Sequence, residues 1–283
     1  MKVFTFFYNR YETATTSNAL TQNGIEHKVL CHSRDDATKF IDGDTARMQD
    51  IIITDKPKGL TYQRNAALDL MKNDEWAVFM CDDFKHILGR PEVEILGPQE
   101  TLDVTIANQR IHRLRAHRDE YTLKRMFGLF PYLISKAEAQ GVRLIGFGLH
   151  DNPLNLRRKF SYRGLADGRF WLIKKHATVR FDERVQMIDD VAWTAENIKQ
   201  FGKVMVLNWI VPYFRRYTAD GFGSISARLE QRLAECKYLV DKYSPLVRYA
   251  DKPGWPEGCH IRIQWSGEIN QTGTLKQMEF DFK

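Results

Sequence analysis

Residues 76–83 read Trp76-Ala77-Val78-Phe79-Met80-Cys81-Asp82-Asp83. An unbroken apolar run of this length is typical of a strand that is covered on both faces, as in a parallel sheet. The run ends abruptly in two carboxylates. Because open α/β sheets bind ligands outside the carboxyl ends of their strands, the segment predicts both the fold class and the edge of the sheet where ligands are expected.

The flanking segments alternate between strand and helix patterns. We predict further strands over 2–7, 27–31, 51–54, 144–149 and 170–173, and helices over 11–23, 61–71, 121–140, 189–201 and 224–242, with a kink at Pro131. The stretch 89–118 lacks periodicity and is interpreted as an insertion. This alternation predicts an α/β fold with a mostly parallel, Rossmann-like central sheet and helices on both faces. One domain over 1–243 is expected, with a helical and loop-rich extension over 244–283 packed on it.

Composition narrows the class of protein. The chain has 283 residues, of which 43% are hydrophobic and 28% charged, which excludes disordered and collagen-like proteins. Its four cysteines are far apart and lack C-x-x-C spacing, so neither a zinc ribbon nor a disulfide framework is indicated, and a reducing cytoplasm is expected. No apolar run approaches the roughly 18 residues of a membrane span. The net charge of +6 permits a polyanionic partner without requiring one.

Asp82 and Asp83 are candidates for metal binding. Paired carboxylates offer the hard oxygen ligands that Mg²⁺ or Mn²⁺ prefers, although aspartates are also common in solvated turns. Upstream, Arg64 and Asn65 lie in the first turn of a predicted helix. A guanidinium there can fork onto a diphosphate, and the alternative for Arg64 is an ordinary surface position.

Two other patterns have both a functional and a structural interpretation. Asp189 and Asp190 begin a predicted helix, where a carboxylate also serves as an N-cap. The segment 217–224 contains two glycines and leads into a helix, so it is interpreted either as a lid over phosphates or as a plain loop.

An ordered series of short motifs resembles the nucleotide-sugar-dependent glycosyltransferases of the GT-A fold, of the broad family-2 type. The series is Phe6-Phe7-Tyr8-Asn9-Arg10, Gly59 with Arg64-Asn65-Ala66, Val78-Phe79-Met80-Cys81-Asp82-Asp83, Gly168-Arg169-Phe170-Trp171-Leu172-Ile173-Lys174, Phe181-Asp182-Glu183, and Asp189-Asp190. The resemblance spans roughly residues 1–206. It implies a UDP-sugar donor, a bound Mn²⁺ or Mg²⁺, and an inverting single displacement.

The resemblance also implies roles for individual residues. Tyr8 and Arg10 are expected near the nucleotide base, Arg64 at the diphosphate, and Asp83 at the metal-binding end of a D-x-D motif. The family has an acid where this chain has Cys81, so the ribose contact falls to Asp82 or is lost.

The resemblance places catalysis at the second acidic pair. Asp190, beside Asp189, is expected to be the general base, because an acceptor hydroxyl must lose its proton as it attacks the sugar. A histidine often completes the metal shell in this family. His260 and His150 are the candidates, and the alternative for each is a structural histidine.

A narrower likeness concerns the acceptor. The Tyr-Asn-Arg start, the Cys-Asp-Asp turn and Gly221-Phe222-Gly223-Ser224 resemble the bacteriophage glycosyltransferases associated with TET-type dioxygenases. This resemblance implies 5-hydroxymethylcytosine in DNA as the acceptor, flipped out of the duplex, in a host cytoplasm. Basic residues interleaved with apolar and aromatic ones are then expected to contact DNA phosphates: Arg113, Arg115, Arg157, Arg158 and Arg215.

Three other functions remain open at this point. A carbohydrate acceptor is compatible with the same donor chemistry, since this fold serves many acceptors. A non-catalytic nucleotide or nucleic-acid binding module is favoured by the Cys81 departure. A nucleotidyltransferase also uses a metal held by acids, and release of pyrophosphate would identify it.

Overall fold

The computed structural model describes residues 1–7, 14–43, 51–89, 122–148, 160–162, 164–214, 228–264, 268–269 and 275–276. Its strands are β1 (Lys2–Phe6), β2 (Lys28–Cys31), β3 (Ile51–Ile53), β4 (Trp76–Cys81), β5 (Phe84–Gly89), β6 (Leu144–Phe147), β7 (Phe160–Ser161), β8 (Phe170–Lys174), β9 (Met205–Leu207), β10 (Ile210–Phe214), β11 (Val247–Tyr249), β12 (Ile261–Ile263), β13 (Glu268–Ile269) and β14 (Leu275–Lys276). Its helices are α1 (Thr15–Gln22), α2 (Arg34–Gly43), α3 (Leu60–Asp69), α4 (Leu123–Gly128), α5 (Phe130–Ala139), α6 (Asp189–Phe201) and α7 (Leu229–Tyr243).

Eight strands form one central sheet in the order β3-β2-β1-β4-β8-β6-β9-β7. The neighbours from β3 to β4 are parallel, and so are β6 and β9. Strand β8 is antiparallel to both of its neighbours, and β7 is antiparallel to β9. The expected α/β fold with a large, mostly parallel sheet is therefore confirmed.

The strand order locates the crevice of the sheet. From the central β1, the chain moves outward to β2 and β3 on one side and then crosses to β4 on the other. The carboxyl ends of β1 and β4 therefore flank a topological switch point, where open α/β sheets bind ligands. Asp82 and Asp83 follow β4 directly.

Alternate residues of the central strands supply two separate cores. Ala77 and Phe79 of β4 point into the core that packs on α3, α6 and α7, whereas Val78 and Met80 point into the core that packs on α4 and α5. Because both faces are covered, the strand needs apolar residues at every position. That requirement explains the continuous run in the sequence.

An aromatic stack joins the sheet to α6. The Phe181 ring lies 3.8 Å from the Trp193 ring at an interplanar angle of 15°, and its other neighbours are Trp171 at 5.8 Å and Phe79 at 6.3 Å. Stacked and offset aromatic pairs each contribute about 0.5–1.5 kcal/mol beyond their burial. Through Phe181, the stack packs the first half of α6 against strands β4 and β8.

Two predictions from helical periodicity have different outcomes. The helix at 189–201 is confirmed, and it ends at Gly202 with a φ of 81°. The single helix over 121–140 is wrong, because α4 and α5 are separated at Leu129. Pro131 lies in the first turn of α5, where its missing N–H costs no hydrogen bond, and so it begins a helix rather than bending one.

Other elements were not predicted by the patterns. These are α2, the antiparallel pairs β5–β10, β11–β12 and β13–β14, and strands β7 and β9 at one edge of the central sheet. Leu246, Val247 and Ile261 belong to the same core as α6. The boundary at residue 243 remains a prediction, and within the described ranges no helix is both long and apolar enough to cross a membrane.

Asp182 lies between β8 and α6 and forms hydrogen bonds to α7. Its carboxylate accepts hydrogen bonds from Tyr238 Oη at 2.5 Å, Lys242 Nζ at 2.9 Å and Arg184 Nε at 2.9 Å. Burial alone would raise the pKa of Asp182, but the hydrogen bonds from Arg184, Tyr238 and Lys242 outweigh it and lower the pKa well below its usual value. This carboxylate therefore stabilises the fold when it is ionised.

We predict that Asp182→Asn lowers the free energy of unfolding at pH 7 by about 1–3 kcal/mol, because charge-assisted hydrogen bonds are lost. A pKa lower in the folded state means that the stabilisation is present above the unfolded pKa of about 4 and is lost as the pH falls below it. Urea denaturation at pH 7 and pH 3 measures both effects. Asp241→Asn, which alters an exposed i,i+4 pair with Lys237, is the control and should change stability by less than about 0.5 kcal/mol. Equal effects of the two variants would contradict the assigned role of Asp182.

Candidate functional site

Arg64 lies inside the protein. Its side chain is 1% exposed, forms an ion pair with Asp189, and donates from Nη2 to the carbonyl of Gly168. The guanidinium carbon is 4.4 Å from the Trp171 ring centroid, within cation–π range. The interpretation of Arg64 as a surface residue is therefore wrong. Its contact with a diphosphate remains a prediction, and the contacts in this structure instead join α3 to the start of α6.

Other polar residues of α3 are buried as well, and each has partners. Gln63 Nε2 donates to the carbonyls of Phe7 and Leu30 at 3.0 and 3.1 Å. Asn65 pairs with the backbone of Phe181, donating to its carbonyl at 3.0 Å and accepting from its N–H at 2.9 Å. Such satisfied bonds remove the cost of burying polar groups and fix α3 against the strand ends. Arg64 is thereby held in place.

Asp82 and Asp83 form a turn that is packed rather than solvated. The two residues are only 7% and 8% exposed. The Thr16 hydroxyl donates to the Cys81 carbonyl at 2.6 Å and accepts from the Phe84 N–H at 3.0 Å, while the Thr15 hydroxyl donates to the Asp82 carbonyl at 2.9 Å. The first turn of α1 thus fixes the backbone that carries both carboxylates.

Cys81 is not an electrostatic substitute for an acid. Burial raises the pKa of its thiol to about 12, and the nearby Asp82 and Asp83 also oppose ionisation although Arg64 favours it. The thiol is therefore neutral at physiological pH. Its sulfur lies 3.8 Å from Arg64 Nη2 and 3.7 Å from the Gly168 carbonyl.

Asp189 and Asp190 have different environments although they are adjacent. Asp189 is buried against the Arg64 guanidinium. Asp190 is half-buried, and its Oδ1 accepts a hydrogen bond from the Val191 N–H at 2.8 Å. Ile188, not an aspartate, occupies the N-cap position of α6, so the N-cap interpretation of this pair is wrong.

The pKa of Asp190 is raised to about 6. Burial is the largest cause and the Asp167 carboxylate is the next, whereas the Val191 N–H, Arg64 and Arg169 act in the opposite direction. Gly168 packs closely on this residue, since a Cβ at Gly168 would lie 3.0 Å from the Cβ of Asp190. A carboxylate held in this way is ionised at pH 7 and is a stronger base than an exposed aspartate.

Glu235 of α7 positions the segment that leads into the acidic pair. Its buried carboxylate accepts from the backbone N–H groups of Gln186 and Met187 at 3.0 Å and of Ile188 at 3.3 Å. Three hydrogen bonds from successive backbone groups fix the chain immediately before Asp189. A single buried carboxylate on α7 thus helps to set the positions of Asp189 and Asp190.

A cleft of about 290 Å³ opens beside Asp190. It is lined by α6 and the residues before it, by the start of α7 and by the C-terminal segment: Leu165, Met187, Ile188, Asp190, Val191, Arg228, Arg232, Lys252, Trp255, His260 and Ile261. Burial lowers the pKa of His260, and Lys252 and Arg232 lower it further. His260 therefore shares a cleft with Asp190 but has two cations as neighbours.

The fit of a metal ion differs between the predicted ligands. Asp82 and Asp83 together offer carboxylate oxygens at the strand end, which suits Mg²⁺ or Mn²⁺ with water and phosphate oxygens as further ligands. In the described part of the chain, no cluster of three or more His, Cys, Asp or Glu side chains is arranged to hold a metal. The surroundings of His260 are cationic and disfavour a metal there. Metal binding by Asp83 remains a prediction.

Several predicted site residues lie outside the described residues, and their roles remain predictions. They are Tyr8, Arg10, Arg113, Arg115, His150, Arg157, Arg158 and Arg215, together with the glycine-containing segment 217–224.

Asp167 and Glu235 escaped sequence analysis, and Arg169 was part of a motif without an assigned role. Asp167 and Arg169 form a hydrogen-bonded pair through Arg169 Nε, at 2.7 and 2.9 Å to the two carboxylate oxygens, directly before β8. An acid and an arginine flanking a glycine before a strand are a pattern that could have drawn attention to them. Glu235 has no comparable pattern, because its partners lie nearly fifty positions away.

We predict strong coupling between Arg64 and Asp189. Arg64→Met alone should lower the free energy of unfolding by about 3–5 kcal/mol, because it leaves a buried carboxylate unpaired. The double variant with Asp189→Leu should lose less than the sum of the single variants, with a coupling of about 2 kcal/mol in urea denaturation. The same cycle on the exposed Lys237–Asp241 pair is the control and should give less than about 0.5 kcal/mol. Additive effects at Arg64 and Asp189 would show that the ion pair is not a constraint on the fold.

Comparison with protein-family models finds none that matches this chain, and no curated protein matches it significantly. The functional argument therefore depends on the side chains and their positions.

Proposed function

We propose that this protein is a metal-dependent, inverting glycosyltransferase of the GT-A type that moves a sugar from a UDP-sugar to a hydroxyl group, with 5-hydroxymethylcytosine in DNA as the acceptor. The observation that carries the proposal is Asp190, a half-buried carboxylate whose pKa is raised to about 6 and which lines a cleft. The other acidic pair, Asp82 and Asp83, directly follows β4 of the central sheet and is buried. In metal-dependent glycosyl transfer, one acidic group holds the metal ion that stabilises the leaving diphosphate. Another acidic group removes the proton of the attacking hydroxyl.

Contacts around Arg64 link these two acidic groups. Cys81, which precedes the first pair, contacts Arg64, and Arg64 pairs with Asp189, which precedes Asp190. The Cys81 N–H also donates to the Arg169 carbonyl at 2.9 Å, next to Gly168. A chain of direct contacts therefore connects the strand end to the start of α6. This arrangement supports a donor side and an acceptor side within one site.

Asp190 is assigned as the general base. As the acceptor oxygen bonds to the anomeric carbon, its proton passes to the Asp190 carboxylate, while the bond from that carbon to the diphosphate oxygen breaks and UDP leaves. A pKa of about 6 favours this role, because the group is ionised at pH 7 and still has appreciable basicity. Asp189 is less suited to the task, since Arg64 neutralises it. We assign Asp189 and Arg64 as positioning residues.

Asp83 would hold the metal ion. A bound Mn²⁺ or Mg²⁺ supplies positive charge that stabilises the departing diphosphate. The burial of both residues and the two threonine contacts of their turn provide a fixed backbone for such ligands. Asp82 remains the residue assigned to the ribose.

The DNA acceptor rests on the motif resemblance and on charge. The chain has a net charge of +6, and three cations line the cleft that contains Asp190. A polyanionic acceptor is attracted by such a surface, whereas a neutral sugar gains nothing from it. This difference favours DNA over a carbohydrate acceptor.

A non-catalytic nucleotide-binding module is the second candidate. The observation in its favour is that Cys81 is neutral and that Arg64 is already paired with Asp189. Such a module would bind UDP-sugars without turnover. An assay of sugar transfer therefore distinguishes the enzyme from the non-catalytic module.

The proposal is tested by incubating the protein with Mn²⁺, a panel of UDP-sugars, and DNA that contains or lacks 5-hydroxymethylcytosine. We expect nucleoside mass spectrometry to detect a hexose-sized mass gain on the hydroxymethylated base alone. Asp83→Ala should abolish this product at every Mn²⁺ concentration. Release of UDP only with a carbohydrate acceptor would move the function to glycoconjugate synthesis, and donor binding without any turnover would favour the non-catalytic module.

We predict that Asp190→Asn lowers kcat by about 10²–10⁴-fold while donor binding is retained, because proton removal is lost. For the wild type, kcat/KM should fall about tenfold per pH unit below a pH of about 6, where Asp190 becomes protonated.

Stability measurements control for misfolding of this variant. The pKa of Asp190 is higher in the folded state, so stability associated with this group is lost as the pH rises through about 6. Asp190→Asn should therefore be at least as stable as the wild type at pH 8. Near-normal turnover by a folded Asp190→Asn enzyme would refute the choice of base.

A further inference from the structure

The cleft beside Asp190 contains a concentration of positive charge. Arg228 and Arg232 come from the beginning of α7, and Lys252 comes from the loop between β11 and β12. Asp190 is the one carboxylate among its lining residues. The lining is therefore cationic overall, although it comes from three separate parts of the chain.

Two of these cations have no carboxylate partner in the part of the chain that the structure describes. Among the residues that the structure describes, neither Arg232 nor Lys252 forms an ion pair. Arg232 Nε donates to the Cys259 carbonyl at 2.8 Å, which orients the side chain and leaves the rest of the guanidinium available. Unpaired cations that share a concave surface are suited to bind an anion.

Trp255 forms cation–π contacts with both of these cations. The guanidinium carbon of Arg232 is 4.3 Å from the centroid of the Trp255 ring, and Lys252 Nζ is 4.9 Å from it. Cation–π contacts of this kind orient charged groups without neutralising them. The His260 ring is also close, with its centroid 6.1 Å from that of Trp255. Burial lowers the pKa of His260, and Lys252 and Arg232 lower it further, so the neutral imidazole, which can donate or accept a hydrogen bond, is favoured at pH 7.

The lining of the cleft therefore combines one carboxylate, Asp190, with the cations Arg228, Arg232 and Lys252. The charged groups that act on the pKa of Asp190 are Asp167, Arg64 and Arg169, whereas Lys252 and Arg232 act on His260. Asp82 and Asp83 do not line the cleft. A ligand in this cleft thus contacts the proposed base without contacting Asp82 or Asp83.

We propose that Arg228, Arg232 and Lys252, with Trp255 and His260, form a phosphate-binding site that holds a phosphate group of the acceptor while its hydroxyl is presented to Asp190. This inference deepens the proposed function and rests on it for the assignment of the phosphate to the acceptor. The chemical class is a phosphate ester of a nucleotide or of the DNA backbone. The diphosphate of the donor shares this chemistry, but it is expected at Asp83.

The test measures direct binding, without turnover, by isothermal titration calorimetry. The probes are 2′-deoxycytidine, its 5′-monophosphate and UDP, each titrated into the full chain. We expect the wild type to bind the monophosphate at least about tenfold more tightly than the nucleoside, as a charge-assisted contact requires. Lys252→Gln should weaken binding of the monophosphate about five- to tenfold and leave binding of the nucleoside and of UDP unchanged.

Two variants complete the design. Lys252 is exposed, so its substitution should leave the thermal midpoint of unfolding unchanged. Arg232→Gln should have the same effect on the monophosphate as Lys252→Gln. Lys237→Gln removes a cation from the exposed side of the same helix and is the matched control, with no expected effect on any of the three probes.

The outcomes separate this inference from the proposed function. Equal binding of nucleoside and monophosphate, or equal behaviour of Lys252→Gln and Lys237→Gln, overturns the phosphate site even if the enzyme glycosylates DNA. Weaker binding of UDP by Lys252→Gln assigns the cations to the donor and overturns the acceptor role. If the monophosphate binds as expected but no UDP-sugar is ever consumed, the phosphate site stands and the glycosyltransferase function fails.

Discussion

The burial of one guanidinium is the constraint on which the site depends. Arg64 is almost fully enclosed, and a charge in that position is stable only with an opposite charge and a hydrogen-bond acceptor beside it. Asp189 supplies the charge and the Gly168 carbonyl supplies the acceptor. These partners come from the start of α6 and from the loop before β8, so satisfying Arg64 brings the two segments to the end of β4. The buried charge therefore links Cys81, which precedes one acidic pair, to Asp189 of the other.

The same constraint gives two adjacent aspartates different environments. Asp189 is committed to Arg64, and Asp190 is left at the cleft with burial and the Asp167 carboxylate raising its pKa. Adjacent acids with separate environments can take separate roles, one that positions and one that transfers a proton. Glu235 maintains this division, since its hydrogen bonds to three successive N–H groups set the path of the chain into α6. A helix remote in sequence is thus part of the support of the proposed base.

The proposed general base and the proposed phosphate site line one cleft. The C-terminal segment contributes Lys252, Trp255 and His260, and it packs on the core through Leu246, Val247 and Ile261. Rigid attachment to the core suits residues that select an acceptor, because preorganised contacts lose less freedom on binding. In this view the sheet and α3 support the donor side, while α7 and the C-terminal segment distinguish acceptors. His260 has two cations as neighbours, which disfavour a metal beside it, and its role as a metal ligand remains a prediction.

Local pattern was sufficient for six of the eight strands of the central sheet, for α6 and for the location of two acidic pairs. A strand covered on both faces must be apolar throughout, and a helix that ends at a left-handed glycine has a recognisable stop, so residues 76–83 and 189–202 were predictable from short-range rules. The break between α4 and α5 was not, because Pro131 is compatible with either a kink or a helix start. The tertiary structure alone decided the burial of Arg64, the support from Glu235 and the meeting of Asp190 with Lys252 and His260. Each of these depends on contacts between residues 40 or more positions apart, and neither periodicity nor spacing records which distant groups neutralise a buried charge.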